Sequence, residues 1–185
     1  MTNAVVLANG FPPSLGTIRH LLSRATLFVC ADGGANLARR YGLMPDAIVG
    51  DLDSVTAETL AHYRDVPLVR DERGLAESTR GGTDAEKAIQ WALERTPFDE
   101  VTLLGASAGR LDHVMEHVAL LRRYRDRTRL VLEDDATRVW LGAAGAITID
   151  EPAGTVVSFF AIAGPASGVT TENFRYALTD RSFEL

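Results

Sequence analysis

Over the first two thirds of the chain, short apolar runs alternate with segments of helical character. Runs rich in Val, Leu and Ile at Ala4–Ala8, Thr26–Ala31, Ala47–Val49, Pro67–Val69, Val101–Leu104 and Arg129–Leu132 read as strands. Between them, Ala85, Ala88, Ile89, Ala92 and Leu93 recur at helical spacing and predict a helix over Asp84–Arg95. Thr83, with Glu86 three residues later, matches a capping box at its start. A second helix is predicted over Leu111–Tyr124, with Leu111, Val114, Met115, Val118, Leu121 and Arg122 along one stripe. Alternation of this kind predicts an α/β domain: a mostly parallel sheet with helices on both faces.

The pattern changes at Glu133-Asp134-Asp135. From there, β-like runs at Arg138–Leu141, Ala146–Ile149, Thr155–Ile162, Val169–Leu178 and Ser182–Leu185 are separated by Gly142, Gly145, Pro152-Ala153-Gly154 and Gly164-Pro165. A small all-β second domain is expected, which divides the chain into residues 1–133 and 134–185. The uncharged stretch Pro152–Thr171 is long enough to span a membrane, but its prolines and glycines favour a buried strand and no membrane partner. The charged segment Arg70–Gly82 has no apolar period and reads as a mobile loop over a site or as a plain surface connection.

Composition narrows the function classes. The 185 residues are 46% hydrophobic and 24% charged, ordinary for a soluble globular protein. A net charge of −6 leaves no overall positive field to follow a nucleic-acid backbone, so no nucleic-acid partner is expected. An anionic small ligand then requires local backbone amides, Arg or bound cations. Cys30 is the only cysteine, which excludes an intrachain disulfide and a Cys-based zinc site and suits a reducing compartment. No basic region with a long apolar core opens the chain, so a cytoplasmic location is expected.

Candidate chemistry gathers at the predicted strand ends. Gly50-Asp51-Leu52-Asp53-Ser54 follows the strand Ala47–Val49, and ligands of open α/β sheets collect beyond the carboxyl ends of strands. Two acids at i and i+2 suit one hard divalent cation, since Mg²⁺ takes oxygen from one or two carboxylates and the rest from water and phosphate. A solvated turn that uses Asp and Gly for backbone reasons is the other reading of these residues. Asp84 complements the positive end of its helix and offers a third ligand if its loop lies at the same end of the sheet. Gly105-Ala106-Ser107-Ala108-Gly109-Arg110-Leu111-Asp112-His113 joins a strand to a helix start and reads as a phosphate cradle, with Arg110 as a positive fork. It is neither a P-loop nor a dinucleotide fingerprint. Asp32-Gly33-Gly34-Ala35-Asn36 also ends a strand and opens a helix, as a ligand loop or as a tight turn. His113-Val114-Met115-Glu116-His117 fits the H-x-x-E-H pattern, which makes a zinc hydrolase the rival class.

Taken in order, Ala31-Asp32-Gly33-Gly34-Ala35-Asn36, Pro45 through Ser54, Thr83-Asp84-Ala85-Glu86-Lys87-Ala88 and Gly109-Arg110-Leu111-Asp112-His113 closely resemble the motif series of thiamine pyrophosphokinases. Gly168-Val169-Thr170-Thr171 with Tyr176-Ala177-Leu178 is similar to that family's β-domain. The resemblance implies an α/β catalytic domain, a C-terminal β-sandwich that binds thiamine and dimerises, and a homodimer. It also implies transfer of pyrophosphate from ATP to the thiamine hydroxyl, giving thiamine diphosphate and AMP. Asp51, Asp53 and Asp84 match the family's Mg²⁺-binding acids. Asp112 joins the same catalytic constellation, as a further metal contact or as a group orienting the nucleophilic hydroxyl. Asp32, Gly33, Gly34 and Asn36 would line the ATP site, with Gly109, Arg110 and His113 on its phosphates. Family members normally continue into a last segment near the thiamine pocket, so either the C-terminal domain is cut short at Leu185 or its pocket is built differently, and the thiamine contacts stay unassigned. Two further readings remain: a pyrophosphokinase for another hydroxymethyl acceptor such as a pterin, and a noncatalytic thiamine- or nucleotide-binding module.

Overall fold

The computed structural model describes residues 1–70, 82–107 and 109–184. The predicted loop Arg70–Gly82 therefore lies outside the described residues apart from its two ends. The chain divides into two compact units, Met1–Leu141 and Gly142–Leu185.

The first unit is a seven-stranded sheet in the order β4-β3-β2-β1-β5-β6-β7. Its strands are β1 (Asn3–Leu7), β2 (Leu27–Ala31), β3 (Ala47–Gly50), β4 (Leu68–Arg70), β5 (Glu100–Leu104), β6 (Arg129–Glu133) and β7 (Arg138–Trp140). All neighbours are parallel except β7, which runs antiparallel to β6. Helices α1 (Leu15–Leu22), α2 (Gly34–Arg40), α3 (Ala57–His62), α4 (Asp84–Arg95) and α5 (Leu111–Arg123) flank it.

The apolar runs are continuous because both sheet faces are covered. Val5, Leu7, Phe28, Cys30, Ile48 and Leu104 share one core cluster with Ile18 and Leu21 of α1 and with Ala35 and Ala38 of α2. The intervening Ala4, Val6 and Val29 are fully buried as well, while α4 packs Ala88, Ile89 and Ala92 against β1, β2 and β3. Each large aliphatic side chain buried in this way contributes about 1.5–3 kcal/mol. Burial also pushes the Cys30 thiol pKa far up, leaving an inert core residue.

Two local expectations are corrected. Thr83 caps α4 by accepting the Glu86 N–H, but the Glu86 carboxylate does not complete the box, because it turns inward to Arg123 and Tyr124. On α5 the predicted stripe is rotated: Leu111 and Met115 are exposed, and the buried face is His117, Leu120 and Leu121. The buried face includes a bond between the His117 ring and the Ala106 carbonyl at 3.0 Å.

Arg138–Trp140, expected in the C-terminal β-region, belongs to the first unit's sheet. Arg138 there bridges Glu100 of β5 at 3.0 Å and Glu133 of β6 at 3.3 Å. The second unit carries one antiparallel pair, β8 (Ala166–Val169) with β9 (Arg181–Phe183). The runs Ala146–Ile149 and Thr155–Ile162 form no strand, and no residue of 142–184 is buried. A strand needs a neighbour for its N–H and C=O groups and a covered apolar face, and neither is present for these runs, so the expected sandwich is reduced to this pair among the described residues. No described helix is long and apolar enough to cross a membrane.

Candidate functional site: a carboxylate crevice at the carboxyl edge

The strand order reverses direction between β1 and β5, which makes the loops after these strands the switch point where open α/β sheets bind ligands. The carboxyl ends of β2 and β3 open onto the same edge. Asp32 follows β2, Asp51 follows β3 and Asp84 opens α4, and one carboxylate oxygen from each lies within 4.8 Å of the other two.

Local backbone geometry makes this convergence possible. Asp32 adopts a left-handed φ of 44° and is 4% exposed, and its N–H donates to the Val49 carbonyl at 2.8 Å. Its Oδ1 is buried without a hydrogen-bond partner. Burial raises the Asp32 pKa first, and the Asp84 and Asp51 charges add to the rise, while hydrogen bonds from Gly33 and Ser54 oppose it. Gly50 lies under the three acids: a Cβ there would come within 3.0 Å of the Asp32 Cβ and 3.1 Å of Asp84 Oδ1. Asp84 accepts the Lys87 ammonium at 2.9 Å, and Asp51 accepts the Asp53 N–H at 3.2 Å. An orphaned buried oxygen among three hard oxygen donors fits a divalent cation such as Mg²⁺.

Asp53 does not join the three. Leu52, with a left-handed φ of 64°, sinks into the core and turns the next residue outward. The Asp53 carboxylate stays exposed and accepts the Ser54 hydroxyl at 2.8 Å. Asp32, assigned by sequence to the nucleotide, takes the third position.

On the other side of the switch point, Arg110 closes its fork on Asp112 at 2.5 and 3.2 Å, and both side chains are exposed. This guanidinium holds the Asp112 carboxyl down at about 2. A phosphate at Arg110 would have to share or exchange that fork. Ser107 donates to Asp134, which also accepts the Ala136 and Thr137 N–H groups at 2.8 Å each, so the glycine-rich loop is tied to the β6–β7 turn. Gly109 is exposed in a left-handed conformation, and His113 is exposed with its ring 6.3 Å from that of His117.

The zinc reading finds no support. His117 is buried with Nδ1 3.0 Å from the Ala106 carbonyl, and among the described residues only Asp32, Asp51 and Asp84 group as metal donors.

Beside the acids lies a cavity of about 260 Å³ lined by Asn9, Gly10, Gly33, Asn36, Arg40 and Tyr41, among others. Gly34 serves packing, since a Cβ there would lie 2.1 Å from the Leu7 carbonyl. Sequence reasoning missed Asn9, Arg40 and Tyr41. An Asn-Gly turn at a strand end was the available signal for the first, and only the strand order gives it meaning.

Fold and site together define an α/β domain whose switch-point crevice pairs a carboxylate cluster with a glycine- and arginine-bearing loop. The family model for the thiamin pyrophosphokinase catalytic domain matches residues 18–132. The chain is 28% identical to thiamine pyrophosphokinase 1 of Oryza sativa subsp. japonica, over 97% of this chain and 75% of that protein. It is 24% identical to the Bacillus subtilis thiamine pyrophosphokinase over 84% of this chain and 72% of that one. It is 32% identical to thiamine pyrophosphokinase 1 of Arabidopsis thaliana, but there it spans 49% of the relative's length. The crystal structure of the Bacillus subtilis enzyme superposes with a TM-score of 0.81 at 22% identity, covering 100% of this chain and 85% of that one. The chain belongs to the thiamin pyrophosphokinase family.

Proposed function

We propose that this chain is an ATP-dependent thiamine pyrophosphokinase. The thiamine hydroxyl oxygen attacks the β-phosphorus of ATP, the bond between that phosphorus and the oxygen bridging to the α-phosphate breaks, and AMP leaves. The hydroxyl proton passes to solvent or to a nearby carboxylate. The observation that carries the reading is that one carboxylate oxygen from each of Asp32, Asp51 and Asp84 lies within 4.8 Å of the other two at the carboxyl edge, where Asp32 Oδ1 is buried and unpartnered, in a chain of this family. These three residues would hold Mg²⁺, which when bound neutralises charge on the triphosphate.

Arg110 and the Gly105–Gly109 loop would hold phosphate by charge-assisted hydrogen bonds, with Asp112 released from the Arg110 fork to face the acceptor hydroxyl. His113 lines the same loop. The cavity bordered by Gly33 and Asn36 would take the nucleoside half of ATP. Asp53 would contribute through the Asp51 loop it stabilises. The C-terminal unit would form the thiamine pocket and the contact of a homodimer. In support, Val156 and Phe160 there are 88% and 82% exposed, apolar surface that a second copy would cover. A reducing, cytoplasmic setting suits a chain whose single cysteine is a buried thiol.

The test is AMP release from ATP and Mg²⁺ with thiamine, with a pterin alcohol as parallel acceptor and with neither. AMP that depends on thiamine supports the proposal. AMP that depends on the pterin moves the acceptor, and nucleotide binding with no AMP makes the chain a binding module.

A further inference from the structure

We propose that Asn36 is a positioning residue for the acidic half of the site, acting through the β3–α3 loop and not through the nucleotide. The proposal rests on the reading of Asp32, Asp51 and Asp84 as a cation site.

Both polar atoms of the Asn36 amide are engaged by that loop. Nδ2 donates to the Ser54 carbonyl at 2.8 Å, and Oδ1 accepts from the Thr56 N–H at 3.0 Å. A flipped amide would set donor against donor and acceptor against acceptor, so the partners fix its orientation. The two bonds grip the backbone on either side of Val55, whose side chain is in the core cluster. From there the loop reaches the acids directly. The Ser54 hydroxyl donates to Asp53 at 2.8 Å, and the Asp53 N–H donates to Asp51 Oδ1 at 3.2 Å.

Asn36 lies one helical turn beyond Asp32, at the start of α2. The β2–α2 connection therefore places one acid four residues before the side chain that holds the loop carrying another. Three carboxylates within 4.8 Å repel each other, and without an external clamp the Asp51 loop would relax outward. Leu37 of α2 and Leu60 of α3 pack on the same core cluster, which keeps α3 docked when Asn36 is lost.

The experiment titrates the nucleotide-free full chain with Mn²⁺ by calorimetry, and separately with AMP in EDTA, for the wild type, Asn36→Ala and Asn36→Ser. Asn36→Ser keeps a polar group but not its reach. Both variants should bind Mn²⁺ about tenfold more weakly, the scale of two neutral hydrogen bonds partly compensated by water. Their AMP affinity should fall clearly less than their Mn²⁺ affinity, because Asn36 borders the nucleoside cavity while its amide is taken up by the loop, and the Thr56 amide should lose its protection from hydrogen exchange. Wild-type Mn²⁺ affinity in both variants overturns the proposal alone. AMP binding that weakens as much as Mn²⁺ binding also overturns it, and makes Asn36 a direct nucleotide contact. A wild-type chain that takes no Mn²⁺ removes the cation-site reading and this proposal with it.

Discussion

On the β2–β3 side of the carboxyl edge, the acids are set before any ligand arrives: Asp32 is buried, Asp51 is bonded by a backbone N–H and Asp84 by Lys87. On the β5 side, Arg110 and Asp112 stand in solvent and close on each other. The first arrangement carries repulsion that a cation would relieve. The second is a neutral pair that must open to receive phosphate. Prearranged charge is worth most where charge develops during reaction, and an adaptable side chain suits a ligand that enters and leaves. The acidic side should therefore govern turnover and the basic side should govern affinity.

The largest expected effect is on the acidic side. Asp51→Asn should lower the rate of AMP formation by roughly 10²–10³, the scale for losing one prearranged electrostatic group, without lowering the melting temperature. Full turnover in a folded variant would refute the site. Arg110→Ala should act mainly on the KM for ATP, raising it about tenfold, and Arg110→Lys should recover only part because a point charge does not replace a fork. Equal losses of kcat from Asp51→Asn and Arg110→Ala would erase the distinction between the two sides.

A smaller effect is expected at the tether of the glycine-rich loop. Asp134→Ala frees the Ser107 hydroxyl and should raise the KM for ATP about threefold with kcat little changed, as expected when a supporting hydrogen bond is lost. The smallest is thermal. Asp32 has a raised pKa in the folded state, so the folded chain holds its proton more tightly than the unfolded one. That stability is present at low pH and is lost as pH rises through the carboxylate range. Asp32→Asn should thus raise the metal-free melting temperature at pH 7 by on the order of a few °C and flatten its dependence on pH. Asn also tolerates the left-handed φ there. Melting curves in EDTA from pH 4 to 7 check this, and a variant that melts below the wild type at pH 7 would refute it.

Most of the first unit was legible in the sequence, since all six predicted strands there form within a residue or two of their expected bounds. Helices Asp84–Arg95 and Leu111–Arg123 likewise match. These signals are local: apolar periodicity, a Thr83 cap, and Gly and Asp at strand ends. The α5 face was misread because two stripes of that helix are apolar, and the one that is buried carries His117, whose ring meets the Ala106 carbonyl, beside Leu120 and Leu121. The second unit was least legible, because β-like runs become strands only when a neighbour pairs with them, and composition does not name the neighbour.

At the site, the sequence by itself marked Asp51, Asp84 and the Gly105–Arg110 loop, because turn residues after strands in an α/β pattern fall at one sheet edge whatever the strand order. Tertiary structure decided which acids meet. The order β4-β3-β2-β1-β5-β6-β7 brings Asp32 beside Asp51 and Asp84, and the burial of Leu52 turns Asp53 away from them. Both outcomes depend on contacts between residues distant in the chain, where the free energy of burying one leucine outweighs the i, i+2 spacing of two carboxylates.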